Sequence, residues 1–219
     1  MNTIFTPELK GKLSDSGVIA VITIEDAAQA VPLAKVLIDE GITAMELTLR
    51  TEAALDALDA ITKDVPAMNA GVGTVLQAFQ LDEIIKRKAS FAVAPGCNPN
   101  VIKGAIERDF PFGPGIGSAS EIETAVELGC RVLKLFPAEA LGGVSYLKSL
   151  NAPYSFLDLN FIPLGGLNTE NMASWLERPE VLAIGGSWIA PKDMINNRDW
   201  TGIAANAREA ARIVREVRG

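Results

Sequence analysis

Eight times along this chain a short apolar run, rich in β-branched residues, gives way to a stretch with helical spacing and then to a Gly or Pro break. The apolar runs fall at 18–22, 44–49, 67–72, 91–94, 110–114, 132–136, 161–164 and 181–184. The helical stretches fall at 26–40, 52–63, 78–88, 100–108, 120–128, 143–150, 169–176 and 201–217. Strands joined through helices run parallel, and the helices cover the sheet they make. Eight such units in 219 residues, with no linker, low-complexity tract or charge run, predict an α/β fold: a single (β/α)8 TIM barrel over 1–219. A doubly wound open sheet is the runner-up. A hydrophobic content of 48% is enough to fill such a core. Ahead of the first strand, Thr6 as N-cap and Pro7 at the first helical position predict a short helix over about 6–13 that covers the bottom of the barrel. Asn168 and Ser120 are expected N-caps, and Gly41 and Gly129 expected helix stops.

Two of the strand runs contain charges where burial is expected. Lys134 lies in Arg131-Val132-Leu133-Lys134-Leu135-Phe136-Pro137, and Glu46 in Thr43-Ala44-Met45-Glu46-Leu47-Thr48-Leu49-Arg50. Desolvation penalises an ammonium, and the neutral amine it favours can attack a carbonyl to form a Schiff base. The alternative is a structural ion pair, or two strand-end charges with their heads in solvent. Period-two alternation puts Ala44, Glu46, Thr48 and Arg50 on one strand face, and Val132, Lys134 and Phe136 on another. Strands two and six are both even and lie opposite each other in such a barrel, so inward faces would bring Glu46 and Lys134 together, with Arg50 at the C-terminal mouth.

The third strand ends in Gly71-Val72-Gly73-Thr74, which leaves the Thr74 hydroxyl at the mouth or is an ordinary turn with a capping threonine. Ala94-Pro95-Gly96 and Gly113-Pro114-Gly115 read as tight turns that also shape the pocket wall. Gly165-Gly166 after strand seven and Gly185-Gly186-Ser187 after strand eight bare backbone N–H groups where barrels of this class commonly hold phosphate. Phe136, core by default, has the parity to pack against a small keto acid. Cys97, Trp188 and Phe79 read as packing residues.

Composition narrows the chemistry. The chain has no histidine, which removes the commonest general base and the usual zinc ligand, and leaves carboxylates and lysine for proton work. A net charge of −7 without blocks of like charge argues against nucleic acid or an anionic membrane as partner. No signal-like N-terminus and no membrane-length apolar run are seen, and the two cysteines lack metal-ligand spacing; a cytoplasmic protein with reduced thiols is expected.

Glu46-Leu47-Thr48-Leu49-Arg50-Thr51, Gly71-Val72-Gly73-Thr74-Val75-Leu76, Ala94-Pro95-Gly96, Lys134-Leu135-Phe136-Pro137-Ala138-Glu139, Gly165-Gly166 and Ile184-Gly185-Gly186-Ser187-Trp188 together resemble the 2-keto-3-deoxy-6-phosphogluconate (KDPG) and 4-hydroxy-2-oxoglutarate (KHG) aldolases, in order and over nearly the whole chain. The resemblance implies a lyase of the Entner–Doudoroff pathway of carbohydrate metabolism: a class I, Schiff-base aldolase with no metal or cofactor, cleaving KDPG to pyruvate and glyceraldehyde 3-phosphate, and a homotrimer. It implies Lys134 as the Schiff-base lysine, Glu46 as general acid/base, Arg50 and Thr74 on the pyruvyl carboxylate and Phe136 on the keto-acid pocket. The Gly165-Gly166 and Gly185-Gly186-Ser187 loops would hold phosphate, with Pro95 and Leu164 also at the site. This chain departs from the family at Leu164, where a threonine is common before the double glycine, and at Gly117-Ser118, where Ser-Thr is common. An apolar side chain at 164 removes a hydrogen-bond partner that can discriminate stereoisomers, which makes the galactonate-derived epimer or KHG alternative substrates, with oxaloacetate decarboxylation as a side reaction. A metal-dependent aldolase or a sugar-phosphate epimerase would call for histidine or clustered carboxylates at the mouth. A non-catalytic sugar-phosphate binding barrel would keep the glycine loops but has no need for Lys134 beside Glu46.

Overall fold

Alternating strands and helices close into an eight-stranded parallel barrel in the computed structural model, which describes residues 5–219. The strands are β1 (Val18–Ile22), β2 (Ala44–Thr48), β3 (Asn69–Gly73), β4 (Phe91–Val93), β5 (Phe112–Gly113, resuming at Gly115–Ile116), β6 (Val132–Leu135), β7 (Asn160–Pro163) and β8 (Ile184–Gly186). Pro114 divides β5 because it has no N–H for the ladder. The upstream half pairs with β4 (Ala92↔Phe112) and the downstream half with β6 (Gly115↔Lys134), so two arcs of sheet share one strand. The ring is completed by β1 pairing with β8 (Ile19↔Gly185) and by a parallel bridge from Phe161 of β7 to Val181.

The eighth strand differs from expectation. Its run at 181–184 continues through Gly185 and Gly186, which pair with Ile19 and Ala20 rather than forming the turn beyond the strand. Both glycines make room for side chains: a Cβ on Gly185 would lie 2.2 Å from Leu164 Cγ, and one on Gly186 would lie 2.0 Å from the Trp188 ring. Elsewhere no strand end moves by more than two residues; the third begins at Asn69 rather than 67 and the fifth at Phe112 rather than 110.

Two apolar layers follow from strand alternation. Ile19, Ala44, Phe91, Val93, Val132 and Ile162 fill the barrel interior. Val18, Ala20, Met45, Leu47, Val72 and Leu133 face outward and pack under the helices. Helices α2 (Ala30–Asp39), α3 (Ala54–Asp64), α4 (Phe79–Lys86), α5 (Pro99–Glu107), α6 (Ala119–Glu127), α7 (Gly143–Asn151), α8 (Met172–Leu176) and α10 (Trp200–Arg218) match the eight expected stretches, and a short α9 (Lys192–Asn196) was not foreseen. Phe79, expected to pack, is 64% exposed on α4.

The first helix, α1 (Pro7–Ser16), runs three residues beyond its expected end. Thr6 Oγ1 accepts from the Leu9 N–H at 3.2 Å, and Gly17 at φ 64° ends the helix with its N–H on the Leu13 carbonyl. Leu9 and Leu13 join the barrel interior, so α1 does plug the floor. Gly41 and Gly129 also stop helices at φ 91° and 92°. Ser120 is not a cap. Ser118 holds that position, and the Glu121 carboxylate accepts from both the Gly117 N–H and the Ser118 hydroxyl at 2.8 Å. Asn168 Oδ1 accepts from the Glu170 and Asn171 N–H groups, capping a turn that precedes α8 rather than the helix itself. Cys97 and Cys130 are free thiols, and burial pushes that of Cys130 up to about 12. No helix among the described residues is long and apolar enough to cross a membrane.

Candidate active site

Parity on β2 turns Ala44, Glu46 and Thr48 inward, and parity on β6 does the same for Val132 and Lys134. The two charged groups meet. Lys134 Nζ donates to Glu46 Oε1 at 3.1 Å, with Oε2 at 3.5 Å, and the residues are 5% and 2% exposed. Charges this deep persist only when paired, since either alone would lose its hydration uncompensated. Gly73 on the neighbouring strand makes the meeting possible: a Cβ there would stand 1.7 Å from Glu46 Oε1. Gly71 likewise yields space to the Phe91 ring. The close approach that these glycines allow is therefore by side chains of adjacent strands. Phe136 lies with its ring centroid 5.6 Å from Lys134 Nζ, within range of a cation–π contact.

Above the pair, at the C-terminal ends of the strands, a cavity of about 160 Å³ opens. Arg50 and Thr74 line it beyond β2 and β3, Pro95 beyond β4, Phe136 beyond β6, Leu164, Gly165 and Gly166 beyond β7, Gly185 from β8 and Ser187 just beyond it. Every expected site residue is there except Gly186, whose missing side chain leaves its space to Trp188. Val21, Thr23 and Leu167 also line the cavity and were missed. The signal for the first two was available, since Ile19, Val21 and Thr23 share one parity along β1. Thr74 has φ 61°, a costly conformation for a β-branched residue and one that tends to occur at functional sites.

The segment after β7 bares consecutive backbone N–H groups. Gly165 and Gly166 have φ 95° and 85°. The N–H groups of Gly165, Gly166 and Leu167 donate to no protein group among the described residues. The carbonyls on the same stretch are all occupied: Leu164 O accepts from Ala138 N–H at 2.7 Å, Gly165 O from Glu139 N–H at 3.0 Å and Gly166 O from Asn171 Nδ2 at 3.1 Å. Consecutive bare N–H groups form a concavity that suits phosphate. At Gly117-Ser118, beyond β5, where the chain departs from the family, the Glu121 carboxylate takes the Gly117 N–H and the Ser118 hydroxyl.

A buried amine beside a carboxylate, a guanidinium at the mouth and a run of bare backbone N–H groups thus share one cavity. The chain is 41% identical over 198 residues to the KHG/KDPG aldolase of Escherichia coli (strain K12), covering 90% of this chain and 92% of that one. It is 42% identical over 197 residues to the 2-dehydro-3-deoxy-phosphogluconate aldolase of Pseudoalteromonas atlantica, at 90% and 91% coverage. The solved KDPG aldolase of Legionella pneumophila, with pyruvate captured as a covalent carbinolamine, superposes with a TM-score of 0.85 at 34% identity, covering 91% of this chain and 96% of that one. That of Zymomonas mobilis ZM4 with 3-phosphoglycerate gives 0.83 at 35%, covering 92% and 93%. The family model for KDPG and KHG aldolase matches residues 9–206, and the chain belongs to that family.

Proposed function

We propose that this protein cleaves KDPG to pyruvate and glyceraldehyde 3-phosphate as a class I aldolase, with Lys134 as the Schiff-base residue. The observation that carries this reading is the buried 3.1 Å contact between Lys134 Nζ and Glu46 Oε1 at the base of the cavity. Neutral Lys134 adds to the C2 carbonyl. Glu46, which holds the proton that Lys134 gives up on becoming neutral, protonates the carbonyl oxygen as the amine adds, takes a proton back from the nitrogen and delivers it to the carbinolamine hydroxyl, which leaves as water to give the iminium. The iminium accepts the electron pair of the C3–C4 bond as the C4 hydroxyl gives its proton to the Glu46 carboxylate and the aldehyde departs. The enamine is then protonated at C3 and hydrolysed to pyruvate, which restores the lysine.

Arg50 presents a planar fork suited to the pyruvyl carboxylate, with the Thr74 hydroxyl beside it. Phe136 packs against the three-carbon unit, and Pro95 bounds it. The N–H groups of Gly165, Gly166 and Leu167, with Ser187, hold the phosphate. The galactonate-derived epimer and KHG are the second reading, favoured by Leu164, which lines the cavity with no hydroxyl to offer C4. By its family the protein is proposed to act as a homotrimer in the cytoplasm, and exposed Leu76 and Phe79 are apolar surface of the kind an interface covers.

Incubation with pyruvate and borohydride, followed by peptide mass spectrometry, tests the central claim. A reduced pyruvyl adduct on Lys134, absent from Lys134→Ala, is expected. Folded wild-type protein without an adduct would return Lys134 to a structural ion pair and bring forward the binding-protein alternative.

A further inference from the structure

Thr23, one residue past β1, lines the cavity but takes no part in the chemistry above. Its hydroxyl lies 3.0 Å from that of Thr48, which in turn donates to the Ile22 carbonyl at 3.0 Å. A carbonyl only accepts, so the single Thr48 proton is committed to Ile22, and towards Thr23 the Thr48 oxygen can only accept. The proton of Thr23 is therefore directed at Thr48. What Thr23 has left for the cavity is lone pairs. Thr48 itself is 1% exposed and does not reach the cavity, so it acts only through Thr23.

This polarity excludes some ligand groups and selects others. Phosphate and carboxylate oxygens are acceptors and find no donor in Thr23; a hydroxyl group is a donor and does. Position narrows the choice further. Around the barrel β1 lies between β8, which leads to Ser187, and β2, which leads to Arg50. In the reading above, the substrate's phosphate and carboxylate ends lie at those two places, so the carbons between them pass β1. Val21 is level with Glu46 in the strand register, and Thr23 is one inward-facing layer nearer the mouth. With C2 on Lys134, the first hydroxyl towards that layer is the one on C4. The wall formed by Leu164 and Phe136 offers that hydroxyl no acceptor.

Resting on the proposed aldolase reading, we infer that Thr23 is a specificity-determining residue that accepts a hydrogen bond from the C4 hydroxyl of the bound substrate, before that proton passes to Glu46, and that Thr48 is the positioning residue that fixes its polarity. The preferred C4 epimer is the one whose hydroxyl turns towards β1 and away from Leu164. Thr23→Val and Thr23→Ser are assayed for kcat/KM with the gluconate- and galactonate-derived substrates, and each is trapped with pyruvate and borohydride. Thr23→Val is expected to lose at least about tenfold on the preferred epimer and to change the other by less than about threefold, while Thr23→Ser keeps the wild-type ratio. Pyruvate carries no C4 hydroxyl, so the adduct on Lys134 should form to the same extent in all three proteins. An unchanged epimer ratio in Thr23→Val, or a parallel loss of both epimers and the adduct, overturns the assignment. Absence of the adduct from wild type would instead remove the aldolase reading on which it rests.

Discussion

Glu46 occupies space that in an ordinary strand would belong to the side chain at position 73. The Gly73→Ala substitution sets a methyl group against the Glu46 carboxylate, and with Lys134 on its other side the acid has little room to retreat. The expected result is a fall in kcat of about two orders of magnitude, the scale on which a misplaced proton-transfer group acts, with the far-ultraviolet CD spectrum retained. Activity within a few-fold of wild type would mean that the carboxylate moves aside freely. Gly185 and Gly186 repeat the arrangement for Leu164 and Trp188. Four of the glycines that mark this chain's motifs thus answer to the bulk of a neighbour: Gly71, Gly73, Gly185 and Gly186. Among the described residues, Gly165 and Gly166 alone combine positive φ with bare N–H groups in the lining of this cavity.

Between elements, the loops after β6 and β7 behave as one unit. Ala138 and Glu139 donate backbone N–H groups to the carbonyls of Leu164 and Gly165, and the Glu139 carboxylate accepts from the buried Trp175 indole at 2.6 Å. Asn171 completes the brace by donating to Gly166 O and accepting from Asn168 N–H at 2.9 Å. Asn171→Ala removes both bonds from the segment proposed to hold phosphate, without touching the ligand. It should raise KM for the phosphorylated substrate about tenfold while leaving borohydride trapping of pyruvate unchanged, and steady-state kinetics beside the trapping assay would separate this from general damage. Alternation on β2 and β6 made the meeting of Glu46 and Lys134 legible in the sequence, because parity alone decides which residues face inward. Loop bracing was not legible. The partners of Glu139 and Asn171 depend on how two loops fold against each other, and no period records that. The eighth strand was misplaced for a related reason: a glycine pair reads as a turn unless the side chains that fill its space are known.

Across the whole molecule, the two ends of the barrel carry different burdens. At the floor, the segment leading into β8 contains Val181 and Leu182, whose carbonyls are taken by Arg218 of α10 at 2.7 and 2.9 Å; the same guanidinium reaches Leu176 O at 3.2 Å and Ser14 O at 3.4 Å. One side chain thereby joins the approach to β8, α8, the first helix and the last. Its partial burial lowers its pKa from the ordinary arginine value. Arg218→Ala leaves those carbonyls without their donor and should cost about 1–3 kcal/mol, seen as a lower urea midpoint with the m-value unchanged. KM should not move, because Arg218 lies at the end of the barrel opposite the cavity; a change in KM would show that the seam and the mouth are coupled. Nothing in the pattern of α10 singles out Arg218 from Arg208, Arg212 or Arg215, since all of them suit a solvated helix face. Plug and seam lie at the floor, while amine, acid and bare N–H groups lie at the mouth. Selection for heat tolerance and selection for a new substrate therefore act on separate sets of residues, and a lineage can change its diet without first surrendering its climate.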